Sequence, residues 1–185
     1  LIPVAHVEAG LRSFRRGMPE EINRVLTDHM ADLLLCPTEV AMANLRKEGV
    51  TRGAHLVGDP MAQVLLELEP LLDPAVPELF GTRRGAYVLA TIHRQENADS
   101  SENMANIIDA MMDYDGDIVL PLHPRTAKNL RSWGMMSRLE GAGHIRLLPP
   151  QGFLTFTSLE KHARMVMTDS GGVQKEAYFF RVPCV

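Results

Sequence analysis

The chain has 185 residues, 45% of them apolar, and a formal net charge of −4. That length holds one good-sized domain or most of two smaller ones, and the apolar share supports a real core. The mild acidity gives no basic surface for nucleic acid, no apolar run reaches the roughly 18 residues of a membrane span, and no signal peptide is visible. Cys36 and Cys184 lie far apart in apolar, strand-like surroundings, which argues against a disulfide framework and for a reducing, cytoplasmic compartment.

Strand-like runs alternate with helix-period segments along the chain. Residues 4–7 read as a strand, and 20–31 as a helix with Ile22, Val25, Leu26, His29 and Met30 on one face. Residues 33–36 form the next strand, stopped by Pro37, and Thr38 is placed to cap a helix through Leu45. Gly49 ends it, 54–57 is a short strand and 61–72 a helix. Residues 73–85, with Pro74, Pro77, Gly81 and Gly85 among charged residues, read as a linker. The alternation restarts with a strand at 87–92. Asp99 with Glu102 has capping-box spacing before a helix carrying Met104, Ile107, Ile108, Met111 and Met112, a core-filling stripe. Strands at 118–122 and 145–148 bracket a helical stretch near 126–133, and Thr157 with Glu160 again has capping-box spacing. Parallel βαβ units in two α/β halves follow: 1–72, a linker at 73–85, and 86–185. The chain opens without an initiator Met and stops in strand-like residues at 182–185, as a piece of a longer protein does.

In open parallel sheets ligands bind outside the carboxyl ends of strands, so residues just after each strand carry the functional expectation. The run Met165-Val166-Met167-Thr168-Asp169-Ser170-Gly171-Gly172 reads as a buried strand turning into a helix. Such a turn offers backbone N–H groups at the positive end of a helix dipole, where an anion can sit. Gly171 and Gly172 permit close approach to a diphosphate, Ser170 adds a hydroxyl, and Glu176 lies one turn further in, where a carboxylate can take sugar hydroxyls. Four other segments occupy equivalent places: Glu8-Ala9-Gly10-Leu11-Arg12; Pro19-Glu20-Glu21-Ile22-Asn23-Arg24; His93-Arg94-Gln95-Glu96-Asn97; and His123-Pro124-Arg125. Each also has a bland reading. Glu20 and Glu21 can complement a helix N-terminus, Glu8 and Asp59 can be ordinary loop carboxylates, and His93, Arg94 and His123 can be solvated strand-end residues.

The first three of these segments, followed by Asp169-Ser170-Gly171-Gly172-Val173-Gln174-Lys175-Glu176, occur in one order that resembles the non-hydrolysing UDP-N-acetylglucosamine 2-epimerase family. The resemblance covers essentially the whole chain. It implies two Rossmann-like parallel-sheet α/β domains of the glycosyltransferase-B type, both incomplete: the second half of the N-terminal domain and most of the UDP-binding one. It also implies an isomerase that interconverts UDP-GlcNAc and UDP-ManNAc by eliminating and re-adding UDP. Glu8 and Glu20 match the family's acid/base or ring-stabilising carboxylates and His93 its catalytic histidine. Ser170, Gly171, Gly172 and Glu176 match its UDP contacts, with Arg12, Arg94, Asn97 and His123 as lesser candidates for phosphate or supporting roles. The resemblance implies no metal and no nicotinamide cofactor, because the intermediate is an alkene, and it implies a homodimer. A third carboxylate and an arginine loop of the family fall before Leu1, and a further segment falls after Val185. Lys175 stands where the family is often acidic, and Gln63 where an Asp is common. The run from Gly10 to Glu21 also resembles a branch acting on diacetamido-uronic acid sugar nucleotides. A hydrolysing 2-epimerase, a glycosyltransferase of the same fold and a non-catalytic nucleotide-sugar binder are the remaining alternatives.

Overall fold

The computed structural model describes residues 2–185, so the start of the first expected domain, at Leu1, lies outside the described residues. Compactness divides the chain into two units, one closing at Leu66 and one running from Glu67 to Val185, each with its own parallel sheet.

The first unit holds β1 (Ala5–Val7), α1 (Pro19–Met30), β2 (Leu33–Cys36), α2 (Glu39–Lys47) and β3 (Ala54–Leu56). Its sheet has the order β1-β2-β3, with Ala5 opposite Leu33 and Leu35 opposite His55. Leu34, Cys36, Ala41 and Leu45 form its core with Ala9. The Thr38 hydroxyl caps α2 by accepting from the Ala41 N–H at 3.1 Å, as its position in the sequence predicts. Helix α1 behaves less simply. Its apolar stripe, Ile22, Leu26 and Met30, is exposed, and the residues it buries are the acids Glu21 and Asp28. Helix α3 (Pro60–Leu68) crosses from the first unit into the second.

The second unit continues with a 3-10 turn (Glu69–Leu71) and α4 (Val76–Leu79). It then alternates β4 (Tyr87–Thr91), α5 (Gln95–Ala98), α6 (Ser101–Met112), β5 (Asp117–Pro121), α7 (Pro124–Ser132), α8 (Met136–Glu140), β6 (Ile145–Leu148), α9 (Phe153–His162), β7 (Met165–Thr168) and α10 (Gly171–Phe180). The sheet order is β6-β5-β4-β7, all parallel. Alternate residues of each strand serve opposite faces. Val88, Ala90, Ile118 and Leu120 pack with Met104, Ile108, Met111 and Leu130 on one face. Tyr87, Leu89, Val119 and Val166 pack with Val76, Leu159 and Ala177 on the other. The doubly wound parallel architecture read from the sequence is therefore what forms. Past α10, Cys184 makes an isolated parallel bridge to Val166.

Residues 73–85 fall within the second unit by compactness: they contain α4, whose Val76 and Pro77 are buried, and the Gly85 N–H donates to the His162 carbonyl at 2.8 Å. Both expected capping boxes need correction. Helix α6 is capped by Ser100, which accepts from the Asn103 N–H, and Asp99 instead closes α5. Helix α9 starts at Phe153 behind Gly152, so Thr157 and Glu160 lie inside the helix and are fully buried. The helix starts earlier, behind Gly152, and its first turns place Phe156 against the core formed by Leu159 and Val166, while Phe153 and Leu154 stay exposed.

Candidate functional site

In the first unit Glu8 and Arg12 lie in the loop that follows β1, and Glu20 stands in the first turn of α1. Glu8 follows the strand directly and has φ of 66°, a left-handed conformation that a non-glycine residue keeps only when its surroundings impose it. The imposition comes from the next four residues. Gly10 has φ of +76°, and a Cβ there would meet the Ala41 carbonyl oxygen at 2.4 Å, so only glycine fits. Its N–H donates to the buried Asp28 carboxylate at 3.0 Å and its carbonyl accepts from Asn44 Nδ2 at 3.0 Å. Asp28 also receives Arg12 Nη1 at 2.7 Å and His6 Nδ1 at 2.5 Å.

Arg12 and Glu21 are inward-facing parts of this loop. The Arg12 side chain is 1% exposed and holds Glu48 through both Nε and Nη2 at 2.7 Å. The Glu48 pair raises its pKa, which outweighs burial, and Asp28 adds to the effect. Glu21 accepts from the Ser13 N–H and hydroxyl, both at 2.9 Å, and from the Phe14 N–H at 3.0 Å. Burial pushes its pKa up, but these hydrogen bonds prevail and hold the carboxyl below the usual range. Of the adjacent acids, Glu21 ties down the loop and Glu20 stands exposed at the start of α1. A groove of about 490 Å³ runs beside α1, lined by Arg12, Ile22, Leu26 and His29 among others, and neither Glu8 nor Glu20 lines it.

In the second unit the candidates converge on one acid. β4 and β7 are neighbours in register from Val88–Met165 to Thr91–Thr168, and the Thr91 and Thr168 hydroxyls bond each other at 2.5 Å. That pairing brings the residues after both strands together. Asp169 accepts from the backbone N–H of His93 at 3.1 Å and of Arg94 at 3.0 Å, from Asn97 Nδ2 at 3.0 Å, and from His93 Nδ1 at 3.0 Å. Burial pushes its pKa up, and the hydrogen bonds, that of Asn97 foremost, pull it below the usual range. An ionised Asp169 fixes the proton of His93 on Nδ1. Its Nε2 is then the reactive nitrogen, on a side chain that is 52% exposed. This carboxylate–imidazole pairing orients a histidine for proton transfer.

Asp169 is followed by the turn into α10. Ser170 caps the helix by accepting from the Val173 N–H at 3.4 Å, which leaves its own O–H to donate. The N–H groups of Gly171 and Gly172 have no carbonyl to reach within the helix. A Cβ on Gly171 would meet nothing within 4 Å, and one on Gly172 only the Ser170 hydroxyl at 3.8 Å. These glycines relieve no internal clash; they leave open space at a helix N-terminus, as an anion seat requires. Gln174 Nε2 secures the turn on the Thr168 carbonyl at 3.3 Å. The Arg94 side chain is 39% exposed and pairs with Glu96 at 3.7 Å. Asn97 faces Asp169, and His123, at the carboxyl end of β5, caps α7 by accepting from the Arg125 N–H at 3.3 Å.

Glu176 is half-buried on α10 and meets the carboxyl of Glu160 on α9, a residue that sequence reasoning took for a cap. Glu160 is 0% exposed, and burial first, then the Glu176 carboxylate, push its pKa up to about 9. The nearby Ala177 N–H favours the anion by less than this. Asp169 and Asp28 were given no role from the sequence, and Glu21 only that of complementing a helix N-terminus; each lies in or beside a quoted motif, and that position was the available signal. Among the described residues no cluster of three or more His, Cys, Asp or Glu could hold a metal ion. None of the described helices is long and apolar enough to cross a membrane.

The two parallel-sheet units, with strand-end acids and a glycine-opened helix start, define an α/β protein of the glycosyltransferase-B type. The chain belongs to the UDP-N-acetylglucosamine 2-epimerase family, whose model matches residues 1–185. It is 46% identical over 187 residues to a UDP-N-acetylglucosamine 2-epimerase homolog of Methanococcus maripaludis, covering 100% of this chain and 52% of the relative. It is 42% identical over 190 residues to the UDP-2,3-diacetamido-2,3-dideoxy-D-glucuronate 2-epimerase of Pseudomonas aeruginosa, covering 100% and 51%. The crystal structure of Methanocaldococcus jannaschii UDP-GlcNAc 2-epimerase in complex with UDP-GlcNAc and UDP superposes with a TM-score of 0.89 at 43% identity, over 99% of this chain and 52% of that one. The chain thus spans about half the length of the curated relatives it matches.

Proposed function

We propose that the full-length polypeptide containing these residues is a non-hydrolysing UDP-N-acetylglucosamine 2-epimerase. The observation that carries this reading is the Asp169 node, which fixes the His93 tautomer one residue before a glycine-opened helix N-terminus. A histidine poised for proton transfer beside a diphosphate seat suits a reaction in which UDP leaves and returns.

The chemistry balances without redox. A base takes the C2 proton as the C1–O bond to the diphosphate breaks, UDP departs with that electron pair, and a C1=C2 double bond forms. In the return step a diphosphate oxygen adds to C1 and a proton is delivered to the opposite face of C2. Positive charge developing at C1 acidifies the otherwise weakly acidic C2–H. Glu8 and Glu20 are assigned the carboxylate roles at the sugar ring. His93 acts through Nε2 on the leaving diphosphate, which the Ser170 hydroxyl and the N–H groups of Gly171 and Gly172 stabilise. Glu176 takes the ribose hydroxyls. Arg94 and His123 supplement the phosphate contacts, whereas Arg12 and Asn97 act by holding Asp28 and Asp169 in place. We assign the protein to the cytoplasm, where the free thiols of Cys36 and Cys184 stay reduced, and to a homodimer, which sedimentation of the full-length protein tests.

Incubation of the full-length protein with UDP-GlcNAc in D2O, followed by NMR at C2, tests the reading. Deuterium at C2 with UDP still attached supports it, free amino sugar indicates the hydrolysing type, and no exchange with any UDP-HexNAc overturns it. A second reading, epimerisation of a UDP-diacetamido-uronic acid, is favoured by the 42% identity to the Pseudomonas enzyme. The same assay with that sugar nucleotide as competitor separates the two.

A further inference from the structure

The second unit buries a carboxyl group for which the mechanism above has no use. Glu160 lies inside α9 at 0% exposure, neither of its oxygens meets a donor at good hydrogen-bond geometry, and the nearby Ala177 N–H offsets less than burial costs. A carboxylate in that position would lose its hydration and gain little in return. What it does face is another carboxyl, that of Glu176 one helix away. Two carboxyl groups in contact cannot both be ionised, so one carries a proton. The better-solvated partner keeps the charge, which assigns the proton to the fully buried Glu160 and the anion to the half-buried Glu176. The contact then becomes a good hydrogen bond, with the Glu160 O–H donating to a Glu176 oxygen.

We propose that Glu160 is a positioning residue that uses its carboxylic acid to hold the Glu176 carboxylate in the orientation that receives the vicinal hydroxyls of the nucleotide's ribose. The proposal rests on the assignment of Glu176 to the ribose and deepens it. A glutamate has three rotatable bonds, and a carboxylate must present its lone pairs in one plane to accept from two neighbouring hydroxyls. A donor from behind fixes that plane before the nucleotide arrives, and it keeps the negative charge that makes Glu176 a strong acceptor. A basic residue in place of Glu160 would fix the plane too, but it would compete for that charge. The titratable groups that interact with Glu160 are Glu176 on α10 and the thiol of Cys184, which bridges to β7; burial, and to a lesser extent Glu160, raises the pKa of that thiol. Cys184 is thus neutral wherever Glu160 is.

The test compares binding of UDP and 2′-deoxy-UDP by calorimetry to the full-length wild type and to the Glu160→Gln, Glu160→Met and Glu176→Gln variants. The ratio of the two affinities cancels effects common to both ligands, including ionisation of the diphosphate and the base, and a general structural defect moves both alike. The wild type is expected to prefer UDP at least tenfold, and Glu176→Gln to remove most of that preference. Glu160→Gln retains a neutral donor and keeps the preference within threefold, whereas Glu160→Met loses most of it with 2′-deoxy-UDP binding unchanged. In the wild type the preference also falls as pH is raised through the range where Glu160 ionises, and in Glu160→Gln it does not. That arm decides the matter should Glu160→Met fail to fold. A wild type without preference overturns the ribose assignment and this proposal with it. A preference that Glu176→Gln abolishes but Glu160→Met retains, or one that stays level with pH in the wild type, overturns this proposal alone.

Discussion

Replacing Glu160 with Gln removes a titrating group from the interior of the second unit and is expected to make the protein more stable, relative to wild type, as pH rises. Burial and the neighbouring Glu176 carboxylate raise the folded-state pKa of Glu160 to about 9 from the ordinary 4.5. A raised carboxyl contributes its stability in full below the unfolded value, and that stability is lost as pH rises through the folded value. Between these limits the unfolded chain releases a proton that the folded chain retains, at about 1.4 kcal/mol per pH unit. From pH 5.5 to 7.5 the wild type therefore loses roughly 3 kcal/mol through this group that Glu160→Gln keeps. The acids with depressed values, Glu21, Glu48, Glu69 and Asp169, slope the other way, but they are the same in both proteins and cancel in the difference. The raised Glu176 works in the same direction as Glu160. Urea unfolding followed by fluorescence is the assay, because the one tryptophan, Trp133, is partly buried against the core of the same unit. The advantage of Glu160→Gln over the wild type is expected to grow steadily across that pH range. A difference that stays level shows an ordinary Glu160 and refutes the assignment of the proton.

Three further substitutions probe the site. Asp169→Asn keeps the shape of the node but removes the charge that fixes the His93 tautomer; kcat of the full-length enzyme should fall about 10³-fold, with UDP binding changed much less. Gly171→Ala adds a methyl group where the chain itself leaves space, so the melting temperature should hold or rise while UDP affinity by calorimetry falls at least tenfold. An unchanged affinity would remove the diphosphate from that turn. Gly10→Ala places a Cβ 2.4 Å from a backbone oxygen at φ of +76°, and it should destabilise by at least roughly 3 kcal/mol in denaturant unfolding, with a loss under about 1 kcal/mol contradicting the packing described.

Strand and helix positions were legible because burial imposes periodicity: Val88, Ala90, Ile118 and Leu120 against Tyr87, Leu89 and Val119 alternate as a doubly covered parallel sheet requires. The cap of α2 was legible because Thr38 acts locally. What was hidden depends on partners distant in sequence. Thr157 and Glu160 have capping-box spacing, yet the helix begins at Phe153, and the role of Glu160 comes from Glu176, which only the fold brings near. The same holds for Asp169 and His93, whose contact spans 76 positions and depends on the pairing of β4 with β7. Local pattern also could not divide Glu20 from Glu21: the second is drawn inward by Ser13 and Phe14, and the first is left at the surface. In α1 the periodicity was right and its direction was open, since Ile22, Leu26 and Met30 face outward and Asp28 inward.

Departure and return of UDP, the core of the proposed reaction, can be followed by positional isotope exchange. UDP-GlcNAc labelled with ¹⁸O in the oxygen joining C1 to the β-phosphorus is incubated with the full-length protein, and the label is followed by ³¹P NMR. Departure of UDP makes that oxygen equivalent to its neighbours on the β-phosphate, so the label is expected to move into non-bridging positions as C2 epimerises. Epimerisation with the label held at the bridge would contradict it.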